Sequence, residues 1–225
     1  MTELIIFDCD GVLVDSEPLS AQATVVALAE FGVHMDAKQA LQSFTGITFA
    51  AAVAKVRSAY GIDLPPLYAS RHAELVAQTF RHKLQPITGV VQTLTSLRLP
   101  FCVGSNSSQA RLAMTFDVTG LSHFFKGHVY SGEDVAQGKP APDLFLHAAA
   151  RFDVAPKQCL VVDDSPSGIT AAVRAGMPAI GFVGGGHASP ALRERLLQAG
   201  ASWIVDDFKK ITNHIQTAEH AAPPL

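Results

Sequence analysis

The sequence predicts an α/β fold, with a Rossmann-like parallel sheet that carries helices on both faces and an inserted α-helical cap domain. Three observations support this fold class. Short continuous apolar runs, typical of strands buried on both faces, occur at residues 4–7, 101–104, 159–162 and 179–183. Helical patterns separate most of these runs, and residues 16–85 contain helical patterns alone. With 225 residues, 48% of them hydrophobic, the chain can bury a large core.

The elements of the predicted core follow from this alternation. Between and after the strands, helical patterns stand near residues 107–117, 142–151 and 166–175. Residues 203–205 predict a last edge strand, and a short helix is expected near 207–215. Strands that alternate with helices in this way form parallel sheets.

The segment 16–85 is predicted to be a separate helical cap subdomain, inserted into a catalytic core of residues 1–15 and 86–225. A stretch of this length without a strand is too long to be a loop between two strands. Its helical windows lie near 17–31, 36–43, 47–60 and 66–82. Both junctions fall near the carboxyl end of the first strand, where open α/β sheets bind ligands. We therefore expect the insertion to open and close over the site, with hinges near 16–17 and 86–89.

Composition excludes several classes of partner. The 17 basic residues against 20 acidic ones give a net charge of −3, so no general field attracts nucleic acid. No apolar run reaches the roughly 20 residues that a membrane span needs. The three cysteines, Cys9, Cys102 and Cys159, are expected to be reduced thiols. These reduced thiols and an N-terminus without the basic start of a signal peptide predict a cytoplasmic protein. We also expect a monomer without nucleic-acid or membrane partners.

Acidic residues follow two of the apolar runs. Asp8 and Asp10 come after the first run, at residues 4–7, and Asp163 and Asp164 directly follow the run at 159–162. Carboxyl ends of parallel strands share one edge of a sheet, so these four acids are expected to converge there. Because carboxylates repel one another unless a cation neutralises them, and no thiolate or imidazole accompanies them, the pattern favours Mg²⁺.

Phosphate-binding groups are predicted beside these acids. Ser105 and Asn106 follow the second run and offer hydroxyl, amide and backbone donors to an anion. Lys139, before Pro140, is a point charge suited to a phosphate. Each motif alone is more typical of a turn or a helix cap. Together they predict a phosphoryl-transfer site.

The combined motifs resemble those of the haloacid dehalogenase-like superfamily, in its β-phosphoglucomutase-like phosphatase branch. Within that branch, the sequence has a general similarity to bacterial 6-phosphogluconate phosphatases. The resemblance covers nearly the whole chain, with the helical insertion as the cap. It is carried by the four segments at residues 7–16, 105–106, 138–143 and 162–168.

The resemblance implies roles for these residues. Asp8 would be the nucleophile that forms an aspartyl-phosphate, and Asp10 the general acid and base. Mg²⁺ would be held by Asp8, by the backbone carbonyl of Asp10, and by Asp163 with Asp164, either of which could be the direct ligand. Ser105, with Asn106 and Lys139, would bind the phosphoryl group of a small phosphorylated metabolite, a sugar phosphate or a sugar-acid phosphate such as 6-phosphogluconate.

Two departures from the family pattern favour hydrolysis over the alternative, a β-phosphoglucomutase-type isomerisation. Ser20 stands where those mutases carry a histidine, and Phe49 stands where they carry a phosphate-binding arginine. A catalytically silent binding module is a third reading, which the complete set of catalytic residue types disfavours. The candidate substrate-selecting residues of the cap are Thr45, Gly46, Arg71 and Lys83.

Overall fold

The computed structural model describes the backbone of residues 1–45, 47 and 49–220, and the side chains up to residue 215. Gly46, one of the candidate cap residues, therefore lies outside the described residues. The chain divides into two compact units, one formed by Met1–Val14 with Pro86–Leu225 and the other by Asp15–Gln85.

The second unit, Asp15–Gln85, contains four helices and no strand among its described residues. Its helices are α1 (Glu17–Ala29), α2 (Ala37–Phe44), α3 (Phe49–Tyr60) and α4 (Pro66–Lys83). Helix α2 begins at a capping box, in which Asp36 accepts from the backbone of Gln39 while the Gln39 side chain accepts from the backbone of Asp36. Helix α1 packs against α4 and α2, and Leu28 and Phe80 are fully buried in this unit.

The first unit contains a six-stranded sheet in the order β3-β2-β1-β4-β5-β6. The strands are β1 (Leu4–Phe7), β2 (Phe101–Ser105), β3 (Val129–Ser131), β4 (Cys159–Asp163), β5 (Ala179–Phe182) and β6 (Trp203–Val205). All neighbouring pairs are parallel. This is the doubly wound strand order, which reverses beside the first strand. The predicted Rossmann-like parallel sheet is confirmed.

Helices cover both faces of this sheet. In chain order they are α5 (Val90–Ser96), α6 (Gln109–Thr119), α7 (Ser122–Phe125), α8 (Asp143–Arg151), α9 (Pro166–Arg174), α10 (Pro190–Gln198) and α11 (Phe208–His220). Alternate residues of β1 face opposite sides. Ile6 belongs to a cluster with Phe145 of α8 and Ile169 of α9. Phe7 stacks on Phe208 of α11, with ring centroids 6.4 Å apart.

The structure adds elements that the sequence analysis did not expect. They are the three-residue edge strand β3 and the short helices α5, α7 and α10, all in segments for which the sequence predicted no strand or helix. Helix α11 is also longer than the short helix expected near 207–215. The cysteines Cys9, Cys102 and Cys159 are buried free thiols. Among the described residues, no helix combines the length and the apolar character needed to cross a membrane.

Candidate active site

The loop after β1 places Asp8 and Asp10 in different surroundings. Asp8 continues the ladder, since its backbone N–H donates to the carbonyl of Val162 at 2.8 Å. Gly11 then takes a φ of +76°, a left-handed conformation that glycine adopts without strain. The chain therefore turns directly after Asp10.

A buried group of acids and one lysine lies at this edge of the sheet. Carboxylate oxygens of Asp8, Asp163 and Asp164 all lie within 4.8 Å of one another. The Nζ atom of Lys139 lies 2.9 Å from Oδ1 of Asp8 and 2.7 Å from Oδ2 of Asp163. The structure therefore brings together three of the four acids that were expected to converge, and the carboxylate of Asp10 is not among them.

Burial governs the charge of this group. Desolvation raises the pKa of Asp8 well above its ordinary value, and the carboxylates of Asp163 and Asp164 add to this, while Lys139 opposes it. Burial also raises the pKa of Asp164. Burial alone would lower the pKa of Lys139, but Asp163 and Asp8 outweigh it and raise that pKa. Lys139 thus pairs with Asp8 and Asp163 but not with Asp164, and a further cation at the cluster would favour the ionised forms of Asp8 and Asp164.

Asp163 is fixed by groups at the start of α9. Its Oδ1 atom accepts from the backbone N–H of Ser165 at 2.9 Å and from the Ser165 hydroxyl at 2.7 Å. Ser165 is also the N-cap of α9, because its hydroxyl accepts from the N–H of Gly168. A methyl group added at Gly168 would lie 1.9 Å from Oδ2 of Asp163. Only glycine fits beneath this carboxylate.

Asp164, the next residue, has a different partner. Nε2 of His187 lies 2.8 Å from its Oδ2 atom, and both side chains are buried. His187 belongs to the segment between β5 and α10, so the pair joins the loops that follow β4 and β5.

Asp10 is held outside the acid cluster by two residues. The hydroxyl of Ser107 donates to its Oδ2 atom at 2.6 Å. Arg111, on the first turn of α6, donates from Nη2 to its Oδ1 atom at 3.0 Å. Both oxygens of Asp10 therefore have a donor, and its carboxylate has a fixed orientation.

Ser105 and Asn106 lie in the loop between β2 and α6. Ser105 is buried, and its hydroxyl accepts a long hydrogen bond of 3.3 Å from the N–H of Ser107. The helix itself begins later, with Ser108 as its N-cap. The Asn106 side chain accepts from the backbone N–H of Lys139 at 2.8 Å and donates to its carbonyl at 2.9 Å. This side chain thus fixes the backbone of Lys139.

The donor set of the acid cluster fits a hard divalent cation. All its candidate ligands are carboxylate oxygens, which Mg²⁺ and Ca²⁺ prefer over the nitrogen and sulfur ligands of softer metals. The charge balance also favours a divalent cation. Lys139 is a single positive charge beside three carboxyl groups, and a divalent ion would neutralise the remaining negative charge. Asp8 and Asp164 offer oxygens to such an ion, and Asp163 is partly occupied by Ser165 and Lys139.

The candidate cap residues are placed within the helical unit. Thr45 is half-buried at the end of α2, and Lys83 is exposed in the last turn of α4. Arg71 makes ion pairs with Glu30 at 2.9 Å and Glu74 at 2.7 Å. Its guanidinium is thus engaged inside this unit.

Sequence reasoning missed three residues of this site, namely Ser107, Arg111 and His187. Each follows a strand at the same edge of the sheet, within six residues of the ends of β2 and β5. That position was an available signal. Serine, arginine and histidine are common in loops, however, and nothing in their local pattern shows which acid each one contacts.

The doubly wound sheet, with a buried acid cluster outside the carboxyl ends of its central strands, defines an α/β protein with a candidate metal site at the usual ligand position of this fold class. Residues 5–182 match the family model described as haloacid dehalogenase-like hydrolase. The chain belongs to this family, which confirms the resemblance seen in its motifs.

Characterised relatives support this assignment. The chain is 31% identical to 6-phosphogluconate phosphatase of Escherichia coli (strain K12) over 195 residues, which cover 86% of this chain and 88% of the relative. It is 34% identical to the fructose-1-phosphate phosphatase YqaB of the same strain over 181 residues, covering 78% of this chain and 94% of the relative.

Solved structures share the fold. A conserved haloacid dehalogenase-like protein of unknown function from Agrobacterium tumefaciens superposes with a TM-score of 0.89 at 37% identity, covering 97% of this chain and all of that one. A family hydrolase from Deinococcus radiodurans, with bound phosphate and sodium, has a TM-score of 0.84 at 31% identity and covers 99% of both chains. A candidate β-phosphoglucomutase from Thermotoga maritima reaches 0.78 at 26% identity, covering 96% of this chain and 99% of that one.

Proposed function

We propose that this chain is a Mg²⁺-dependent phosphatase that hydrolyses a small phosphorylated sugar or sugar acid, such as 6-phosphogluconate, through an aspartyl-phosphate at Asp8. The family and the named phosphatase relatives establish the broader class, a phosphoric monoester hydrolase. The observation that carries the finer proposal is the convergence of Asp8, Asp163 and Asp164 beside Lys139.

Asp8 is the proposed nucleophile. Its carboxylate attacks phosphorus, so that an acyl-phosphate bond forms while the bond from phosphorus to the ester oxygen breaks. Lys139 favours this reaction in two ways, because its charge favours the ionised form of Asp8 and because the same charge attracts the phosphoryl oxygens. A bound Mg²⁺ would supply further stabilisation of the negative charge on those oxygens.

Asp10 is the proposed proton carrier. In the first half of the reaction its carboxyl gives a proton to the departing sugar oxygen. In the second half it takes a proton from the water that attacks the acyl-phosphate, which releases inorganic phosphate and regenerates Asp8. Ser107 and Arg111 hold the Asp10 carboxylate in one orientation.

For the metal, we propose Asp8 and Asp164 as direct side-chain ligands, with the backbone carbonyl of Asp10. Asp163 already accepts two hydrogen bonds from Ser165 and one from Lys139. A carboxylate with this many donors is better suited to hold Lys139 than to bind the ion directly. The proposal thus favours Asp164 over Asp163 as the direct ligand, a choice that the sequence analysis left open.

The phosphoryl group is proposed to bind at Ser105 and Lys139, with the backbone of Asn106 contributing in place of its side chain, which is engaged with Lys139. We propose the helical unit as the cap that selects the substrate. Thr45 and Lys83 are its first candidates for mutation, since Arg71 is already paired with Glu30 and Glu74.

Phosphate release from a panel of phosphorylated sugars and sugar acids, measured with Mg²⁺ and with a chelator, tests this proposal. We expect Mg²⁺-dependent release by the wild type and none by Asp8→Asn. Asp117→Asn, on the exposed face of α6, is the matched control and should retain full activity. An active Asp8→Asn enzyme would contradict the proposal. Conversion of β-glucose 1-phosphate to the 6-phosphate without net phosphate release would instead identify a mutase.

A further inference from the structure

His187 lies in a built position beside the acid cluster. It follows three glycines, residues 184–186, after β5 and before α10. Its side chain is 3% exposed, and its Nε2 atom lies 2.8 Å from Oδ2 of Asp164. Histidines in loops usually lie at the surface. His187 is instead buried and contacts a carboxylate at the edge of the sheet where ligands bind.

The backbone around this pair leaves no room for other side chains. A methyl group added at Gly11 would lie 1.9 Å from Oδ2 of Asp164 and 2.9 Å from Cε1 of His187. One added at Gly185 would lie 3.0 Å from the His187 ring and 3.0 Å from the carbonyl oxygen of Gly11. The loops after β1, β4 and β5 therefore meet where Asp164 contacts His187. The loop after β1 reaches this contact at Gly11, three residues after Asp8.

We propose that His187 is a positioning residue for the metal site: its Nε2–H donates to Oδ2 of Asp164 and holds that carboxylate in the orientation in which it would bind a divalent cation. The inference rests on the proposed function, because it requires a divalent cation at the cluster of Asp8, Asp163 and Asp164. Carboxylate ligands of metals are themselves held by hydrogen bonds, and loss of such a partner typically weakens metal affinity about 10- to 100-fold.

The roles of the two neighbouring acids explain why such a donor is needed. Asp163 is oriented by Ser165 and by Lys139. Asp164 is the next residue, but its carboxylate meets the loop after β5 instead. Without His187, that carboxylate could rotate about its side-chain bonds, and the ion would have to order it at the moment of binding.

Calorimetric titration of the metal-free, full-length protein with Mg²⁺ alone tests this role without using activity. His187→Gln keeps an N–H donor, and His187→Phe keeps a ring of similar size but has none. We expect His187→Phe to bind Mg²⁺ about 10- to 100-fold more weakly than the wild type, and His187→Gln to recover most of the lost affinity. The matched control is His147→Phe, a half-buried histidine that packs edge-on against Tyr130 of the edge strand β3 and should bind Mg²⁺ as the wild type does.

A double-variant cycle separates positioning from general damage to the fold. In an Asp164→Asn background, His187→Phe should weaken Mg²⁺ binding no further, because the carboxylate that it orients is already absent. Equal Mg²⁺ affinity of the wild type and His187→Phe would overturn the inference and leave the proposed function standing. Equal losses in both backgrounds would also overturn it. A wild type that binds no Mg²⁺ would overturn the metal-dependent function and this inference with it.

Discussion

Replacing Lys139 with methionine should destabilise the metal-free protein, and the loss should grow with pH. The lysine lies 2.9 Å from a carboxylate oxygen of Asp8 and 2.7 Å from one of Asp163, and all three side chains are largely or fully buried. Removing one partner of a buried ion pair costs about 3–5 kcal/mol, because the remaining charge is left uncompensated. Methionine has a similar length, so the loss reports charge more than volume.

The pH dependence follows from the raised pKa of Asp8. A carboxyl whose pKa is higher in the folded protein than in the unfolded chain contributes stability that is present at low pH and is lost as pH rises through the folded pKa. Lys139 lowers the pKa of Asp8, so its removal raises that pKa further. We therefore expect the destabilisation to be smaller at about pH 5, where a larger fraction of Asp8 is protonated, than at about pH 8, where it should be close to 3–5 kcal/mol.

Urea denaturation in the presence of a chelator measures this effect at the two pH values. Lys210→Met is the control, since Lys210 forms an exposed ion pair with Asp206 on the surface. Its free energy of unfolding should change by less than about 1 kcal/mol. A loss below about 1 kcal/mol for Lys139→Met at about pH 8, or a loss that is the same at both pH values, would refute the reasoning.

Two further substitutions test the supports of the cluster. Gly168→Ala should reduce phosphate release at least about 100-fold, because the new methyl group would lie 1.9 Å from Oδ2 of Asp163 and must displace that carboxylate. Asn106→Ala should lower the free energy of unfolding by about 1–3 kcal/mol, since the N–H and C=O of Lys139 lose their side-chain partners. It should also reduce kcat, because Lys139 is no longer fixed.

Matched controls separate these effects from general instability. Thr170→Ala, on the same helix as Gly168, should leave kcat unchanged. Ser108→Ala, which removes the N-cap of α6, should lower stability by about 1 kcal/mol without lowering kcat. Full activity of Gly168→Ala would show that Asp163 tolerates displacement. An unchanged kcat for Asn106→Ala would show that Lys139 keeps its position without that side chain.

The sequence predicted the central strands of the sheet because their signal is local. Strands β1 and β4 are continuous apolar runs, and a parallel strand buried on both faces requires such a run. The edge strand β3 was not predicted because its three residues, Val129–Ser131, end in a serine and form no continuous apolar run, whereas the equally short edge strand β6 is apolar throughout. The sequence does contain a local indication of where helix α10 begins, because Ser189 followed by Pro190 is typical of a helix N-terminus.

The acids and the lysine of the site were also predictable, because polar residues directly after buried strands meet at one edge. The residues that contact these acids from other loops and helices were not predictable. His187 reaches Asp164 from another loop, and Arg111 reaches Asp10 from α6. Such pairs depend on how the loops turn and how closely their backbones pack. Neither property leaves a periodic pattern in the sequence.

Covalent trapping of the phosphoryl group tests most directly whether Asp8 is the nucleophile. The enzyme is mixed in excess with its best substrate and Mg²⁺, quenched in acid, and treated with borohydride, which reduces an acyl-phosphate to an alcohol. Peptide mass spectrometry then locates the reduced residue. We predict that Asp8 is converted to homoserine in the wild type and that Asp8→Asn shows no reduced residue. Phosphate release with no reduced residue, or with one at a position other than 8, would contradict the proposed chemistry.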